Sequence, residues 1–265
     1  MTITTLDGYI AAPSQRVSIN KTASITATSL MNTQVLQAAG NPGAGVLAGT
    51  STAAGVVPVG GTDAGFPVIN SLGAGSYYIG GISFGNTVPC RMGLYDCLFK
   101  AGAFAFNAAV TLAAQPSYSG RVLGGTDFTN TEIWIEAVTA FTGNQSIAVT
   151  YTNQSGATAH TTGVIATGVA PGIARMLQLP LAAGDTGVQK IESVTSTVAT
   201  VGTFNVLVLR RLWTGRVIYA NMGDTHDFLK TGMPQIFQTS ALMALVQPDS
   251  TATGLFELQL EVVNG

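Results

Sequence analysis

Three runs of this chain alternate along one register with a period of two. Ile147, Val149 and Tyr151 interleave with Ala148 and Thr150, Phe204, Val206 and Val208 with Asn205 and Leu207, and Phe256, Leu258 and Leu260 with Glu257, Gln259 and Glu261. A period of two places one set on one face of a pleated strand, and an apolar set there has to be buried. Turn residues cut the runs short, as at Gly40-Asn-Pro-Gly43, Gly143-Asn144, Asn153-Gln-Ser-Gly156 and Gln247-Pro-Asp-Ser250. Abundant threonine and valine suit half-buried pleated surfaces. No long stretch combines a 3.6-residue apolar period with a capping box. Short helical turns are expected only near 107–115 and 224–231. The chain therefore reads as all-β and antiparallel, with many short strands.

Part of the pattern recurs. The segment from Ile79, IGGISFGNTVPCRMGLYDCLF, and the segment from Ile191, IESVTSTVATVGTFNVLVLRRLW, both read as strand, turn and longer strand, ending at Leu98-Phe99 and Leu212-Trp213. A second pair, 133–156 and 241–265, sets Ile147, Val149 and Tyr151 on Phe256, Leu258 and Leu260 at one constant offset. The repetition predicts two tandem jelly-roll-like antiparallel β-sandwiches related by internal duplication, over 1–156 and 157–265. The first carries a long Gly-rich loop, 38–66, and residues 1–20 read as an extended N-terminal arm. Loops of that length without periodicity are usually functional or disordered.

Composition narrows the function. The 265 residues hold 11 basic and 13 acidic side chains, a net charge of −2, and 9% are charged, where about 25% is ordinary. Without a basic excess, a grip on nucleic acid through phosphates is not expected. No run reaches the ~18 apolar residues of a membrane helix, and the first residues lack the charged and apolar regions of a secretory signal. Cys90 and Cys97, seven apart on one strand, fall on opposite faces and should remain free thiols.

Candidate chemistry is sparse. Asp224, His226 and Asp227 can supply two or three metal ligands, but a loop with local hydrogen bonds is the plainer reading. His160 sits in a polar turn. Gly81-Ile-Ser-Phe-Gly85 fits the G-x-S-x-G pattern around Ser83, yet that elbow needs a helix after it, and Asn86-Thr-Val-Pro89 follows. Glu132 and Glu136 flank Trp134, but carboxylates at i and i+4 on a strand stand roughly 13 Å apart, too far for glycoside hydrolysis. A solvated strand face is expected there. Arg210-Arg211, with Arg175, Lys190 and Arg216, reads as a salt-bridging or intersubunit feature. Tyr77, Tyr78, Tyr118 and Trp134 are the aromatics available to stack on sugars, with core packing as their plainer role. No catalytic residue, metal or cofactor is assigned.

Four stretches carry a resemblance: Asn41–Gly45 (NPGAG), Thr50–Pro58 (TSTAAGVVP), Thr131–Val138 (TEIWIEAV) and Val149–Gly156 (VTYTNQSG). They resemble virion structural proteins of tailed bacteriophages. The resemblance implies a non-enzymatic particle component assembled in the bacterial cytoplasm. The favoured role is a capsid decoration or cement protein, with the major capsid protein as partner and a homo-oligomer such as a trimer as its form. A tail, baseplate or fibre component touching host glycan is the alternative. Nucleic-acid and membrane partners are not expected. The candidate interface residues are Tyr9 and Ile10 in the arm, Val46 and Leu47 in the Gly-rich loop, and Arg210 and Arg211.

Overall fold

A computed structural model describes residues 3, 5–46, 51–106, 109–143, 145–166, 171–197 and 201–265. In chain order its elements are α1 (Leu6–Ala11), β1 (Ser14–Lys21), β2 (Asn32–Gln34), β3 (Gly40–Asn41), β4 (Ser51–Val56), β5 (Tyr77–Asn86), β6 (Cys90–Ala105), β7 (Ala109–Thr111), β8 (Thr131–Ala137) and β9 (Ser146–Asn153). There follow β10 (His160–Thr161), β11 (Ile165–Ala166), β12 (Arg175–Leu179), β13 (Val188–Thr197), β14 (Thr203–Val217), β15 (Met222–His226), α2 (Phe228–Thr231), β16 (Gln235–Ile236), β17 (Leu242–Pro248) and β18 (Phe256–Asn264). The chain is all-β and antiparallel.

The strands form three sheets. One runs β14-β8-β12-β2-β17-β6 and closes on itself, because β6 also pairs with β14, giving a six-stranded barrel with β4 beside β6. A second sheet runs β15-β5-β18-β1-β3, with β16 on β5. The third runs β10-β9-β13-β7, with β11 on β9. The two open sheets cover different parts of the barrel wall. Val17, Ile82, Phe84, Leu258 and Leu260 pack on Met92, Leu94, Trp213 and Val246 to make one apolar layer. Val149, Tyr151, Ile191 and Val194 pack on Phe99, Phe104, Ile133, Val206 and Val208 to make another.

β6 and β14 are long enough to serve both layers. Each is about 50 Å long at the usual rise per residue. The first half of β6 lies under the β5–β18 sheet and its second half under the β9–β13 sheet, and β14 runs the other way. Their inward faces line the barrel, so they are buried on both sides. That is why this part of the chain reads as continuously apolar rather than alternating.

Where the two outer layers part, the wall carries charge. Asp96 on β6 is opposite Arg210 on β14 and is fully buried. Its carboxylate meets the Arg121 guanidinium, lies 3.6 Å from that of Arg210, and accepts from the Ser240 hydroxyl at 2.6 Å and the Ala241 amide at 2.9 Å. Arg121 also donates to the carbonyls of Pro58 and Cys97, and Arg210 donates to that of Gln235 while lying over the Phe237 ring.

The barrel interior is apolar near its middle, with Leu36, Phe66, Cys97, Trp134, Met176, Leu207 and Met243. Toward the Lys100 end of β6 it is polar. Glu136 accepts there from Gln34 at 3.1 Å and Asn205 at 2.8 Å. Burial pushes its carboxyl up to about 7, against the pull of those two hydrogen bonds and the Lys100 charge.

Several sequence expectations meet a different arrangement. The boundary near 156 separates no sheets: β5 pairs with β18, β6 with β17, β13 with β9 and β14 with β8. The predicted tandem sandwiches are instead one barrel flanked by two sheets, each built from both halves of the chain. Within the expected arm, Ser14–Asn20 are no free segment, because they lie in β1 and pair with β18. The Gly-rich loop folds back where it is described. Phe66 enters the barrel, and Gly45 lies so close to the Ala64 carbonyl that a Cβ there would collide with it. The helical turn near 107–115 is absent from its described residues, which hold β7; near 224–231, α2 follows β15. Cys90 and Cys97 are free and buried on opposite faces of β6.

Two outcomes follow. Asp96→Ala leaves two buried guanidiniums without their carboxylate and should cost about 3–5 kcal/mol, read as a lowered urea midpoint. Glu136 has a folded value above its ordinary 4.5, so its contribution to stability falls as pH rises from about 4.5 through about 7. Glu136→Gln should flatten the pH dependence of urea stability in that window, removing a loss of about 3 kcal/mol.

Candidate functional site

The outer face of the β5–β18 sheet carries a shaped surface feature. Alternation along β5 turns Ile82 and Phe84 inward, leaving Gly81, Ser83 and Gly85 outward; on β18, Glu257, Gln259 and Glu261 face out. Glycines where neighbours have side chains leave a trough. Two adjoining cavities, about 500 Å³ and about 230 Å³, share Ser83 and Thr225 and run across this face. Arg16 supplies a cation to the smaller one, and Glu257 a carboxylate to the larger.

Helices α1 and α2 border one end of the trough. Thr5 caps α1 by accepting from Gly8, and Asp227 caps α2 by accepting from Lys230. Tyr9 ties α1 to the sheet. Its ring stacks on Phe228 with centroids 5.1 Å apart, and its hydroxyl donates to Glu261 at 2.9 Å. It also lies so close to Gly80 that any Cβ at that position would strike the ring. Burial, then the Glu261 carboxylate, push the Tyr9 hydroxyl up to about 12. With Tyr9 turned inward, Ile10 is 72% exposed, and Leu229 on α2 is 77% exposed. Beyond the other end of β5, Tyr219 is 67% exposed, with Ile218, Met222 and Leu255 also exposed. The trough thus runs between two apolar borders.

Val46 is exposed, and Leu47 lies outside the described residues. Arg210 is buried against Asp96 and is no surface residue. Arg211, its neighbour on the opposite strand face, is exposed and pairs with Glu132 at 3.2 Å. Arg210 and Arg211 are thus both in salt bridges, as the sequence suggested, whereas Arg175 is buried and donates to the carbonyls of Thr26 and Ile173. Glu132, Trp134 and Glu136 are not on a solvated face. All three are buried, because β8 is a barrel strand covered on its outer side as well. Tyr77, Tyr118 and Trp134 are buried too, and of the four sugar-stacking candidates only Tyr78 is partly exposed.

Ser83 lies mid-strand with its hydroxyl 3.1 Å from that of Thr225. His226 points to the opposite face, where its Nδ1 accepts from Trp213 at 2.9 Å and its ring meets Phe84 edge-on. Serine and histidine therefore do not form a nucleophile–base pair. Asp224 is 3.6 Å from His226, while Asp227 is committed to its helix cap. Among the described residues no three His, Cys, Asp or Glu side chains gather as a metal site. His160 pairs with Asp185 at 2.7 Å. Burial alone would raise the Asp185 carboxyl, but hydrogen bonds from Tyr151, Asn153 and His160 bring it below its ordinary value. No described helix is long and apolar enough to cross a membrane.

No family model and no curated protein matches the chain. Among solved structures, the VP2 protein of infectious bursal disease virus in T=1 particles aligns over 95% of this chain and 76% of its own length, at 8% identity and a TM-score of 0.20. A VP2 subviral particle of the same virus aligns over 95% and 79%, at 10% identity and a TM-score of 0.19. A likeness this slight carries no argument about fold or function.

Sequence reasoning marked Tyr9 and Ile10 through the resemblance and the arm, but missed Leu229, Thr225 and Glu257. Leu229 had a local signal, an exposed apolar residue inside a predicted helical turn. The trough had none, because Ser83 and Thr225 meet only through the pairing of β5 with β15. Tyr9→Ala should release α1 while leaving the fold in place, since no residue of α1 is buried. Amide exchange over 6–11 should then quicken markedly, with little change in the unfolding midpoint.

Proposed function

We propose that this chain is a non-enzymatic structural subunit of a virus particle, and within that class a decoration protein seated on the head lattice of a tailed bacteriophage. The observation that carries the reading is the trough on the β5–β18 sheet with exposed Ile10 and Leu229 at one border and Tyr219 at the other. Exposed apolar borders around a weakly charged face are covered at little desolvation cost when the face meets another protein. A subunit that binds only the assembled lattice stabilises that state by mass action, and many symmetric copies add weak contacts into a strong one. The partner is then the major capsid protein, the location the virion, and the subunit works as a homo-oligomer. The matched partners of the two recurring hairpins, β5–β6 with β18–β17 and β13–β14 with β9–β8, support a duplicated origin.

The test is sedimentation of the purified chain with phage heads lacking it. Saturable binding at a fixed copy number is expected, with heads that withstand a higher temperature. Ile10→Asp with Leu229→Asp should weaken that binding at least tenfold, each side chain being worth about 1.5–3 kcal/mol when covered, without moving the unfolding midpoint of the free chain. A stable elongated oligomer that ignores heads would overturn the reading in favour of a tail or fibre component.

A further inference from the structure

The second large concavity lies at one end of the barrel and owes nothing to the assembly reading. All six barrel strands line this mouth, a cavity of about 530 Å³. It is within the range of small-ligand pockets, roughly 300–1,000 Å³. Three of the chain's seven arginines, Arg91, Arg211 and Arg216, converge on it. In a chain so poor in charge, that is a concentrated positive field.

The register makes the arrangement costly. Arg91 and Arg216 are directly opposite each other across β6 and β14. Like charges at opposed positions destabilise a strand pair. Among the described residues, neither has a carboxylate within salt-bridge distance. Arg91 is instead held by the Gln247 side-chain oxygen at 3.1 Å. Arg211 does have a partner, Glu132, but that carboxylate is buried and is also engaged by the Trp134 indole at 2.8 Å. The mouth therefore keeps a net positive charge after its internal pairing.

The wall adds neutral donors and a rigid base. Tyr95 lies opposite Arg211 across the strands, its ring edge-on to Trp134 with centroids 5.7 Å apart. Its hydroxyl has no hydrogen-bond partner among the described residues. Burial is the main cause that pushes it up to about 12, so it remains a donor at neutral pH. The Asn32 and Gln178 side chains complete the lining from β2 and β12. Guanidiniums present planar forks that match the oxygens of a carboxylate or phosphate. A bound oxyanion would relieve the Arg91–Arg216 repulsion and accept from Tyr95.

We infer that the mouth of the barrel is a binding site for a small ligand carrying an oxyanion group, phosphate or carboxylate, held by Arg91, Arg211 and Arg216 with Tyr95 as a neutral donor. The test is calorimetric titration of the intact chain with inorganic phosphate, glucose 6-phosphate and glucuronate, with glucose and sodium chloride at matched ionic strength as controls. One saturable site per chain is expected for at least one of the three anions, with a Kd below about 1 mM. Binding by the two phosphates alone assigns the site to phosphate, and binding by glucuronate alone assigns it to a sugar carboxylate. Arg216→Gln should weaken binding at least tenfold, and Arg91→Gln with Arg216→Gln should abolish it. Both side chains are exposed, so these variants should fold, and Arg216→Gln should raise the anion-free unfolding midpoint by removing the repulsion. Saturation by none of the three anions, or equal binding by the double variant, would overturn the inference.

Discussion

The pairing of β6 with β14 holds the other elements in place. Together these strands close the barrel, and each passes from under one outer sheet to under the other. Two apolar layers on one continuous wall must end somewhere, and they end at Asp96. The two arginines that meet the carboxylate donate to the carbonyls of Pro58, Cys97 and Gln235, so a loop, β6 and β16 converge on one buried ion cluster. A buried ion cluster contributes little net stability over an apolar substitute, but it penalises any arrangement that leaves one member alone. Here it opposes a shift of β6 against β14, because a slip would part Asp96 from Arg210.

This architecture separates two kinds of surface. The outer sheets turn their apolar faces to the barrel, and their free faces carry glycine, threonine, serine and a few carboxylates. Such faces are suited to contact with other proteins, and the trough beside α1 and α2 is the most shaped of them. The barrel end behaves differently. Closure brings six strands round one opening, and residues distant in sequence place three guanidiniums there. The same closure confines Glu136 farther inside, where burial raises its carboxyl so that it gives up its proton only around neutral pH.

The secondary structure was largely legible in the chain. Period-two runs and turn clusters correctly marked β9, β14 and β18, and the lack of helical period agrees with the two α-helices among the described residues, of six and four residues. The recurring strand–turn–longer strand pattern falls on β5–β6 and on β13–β14. Their placement was not legible. Alternation says which side chains share a face, not which strand lies beside them, so hairpins expected within each half were found paired across the halves. Burial was misread for the same reason at Glu132, Glu136 and Arg210. Each looks like an exposed polar position until a barrel closes inside it or a second sheet covers its outer side.

What the residues alone determined was local: strand, turn, a surface poor in charge, two free thiols on opposite faces. These follow from backbone geometry and side-chain period, which act over a few residues. Tertiary structure decided everything that depends on neighbours far along the chain. It turned an extended N-terminal segment into an inner strand, and drew Phe66 from a glycine-rich loop into the barrel. It also set Arg91 against Arg216 and buried Arg210 on Asp96. Those outcomes depend on which strands meet, and that choice is made by the combined burial of three sheets rather than by any single segment.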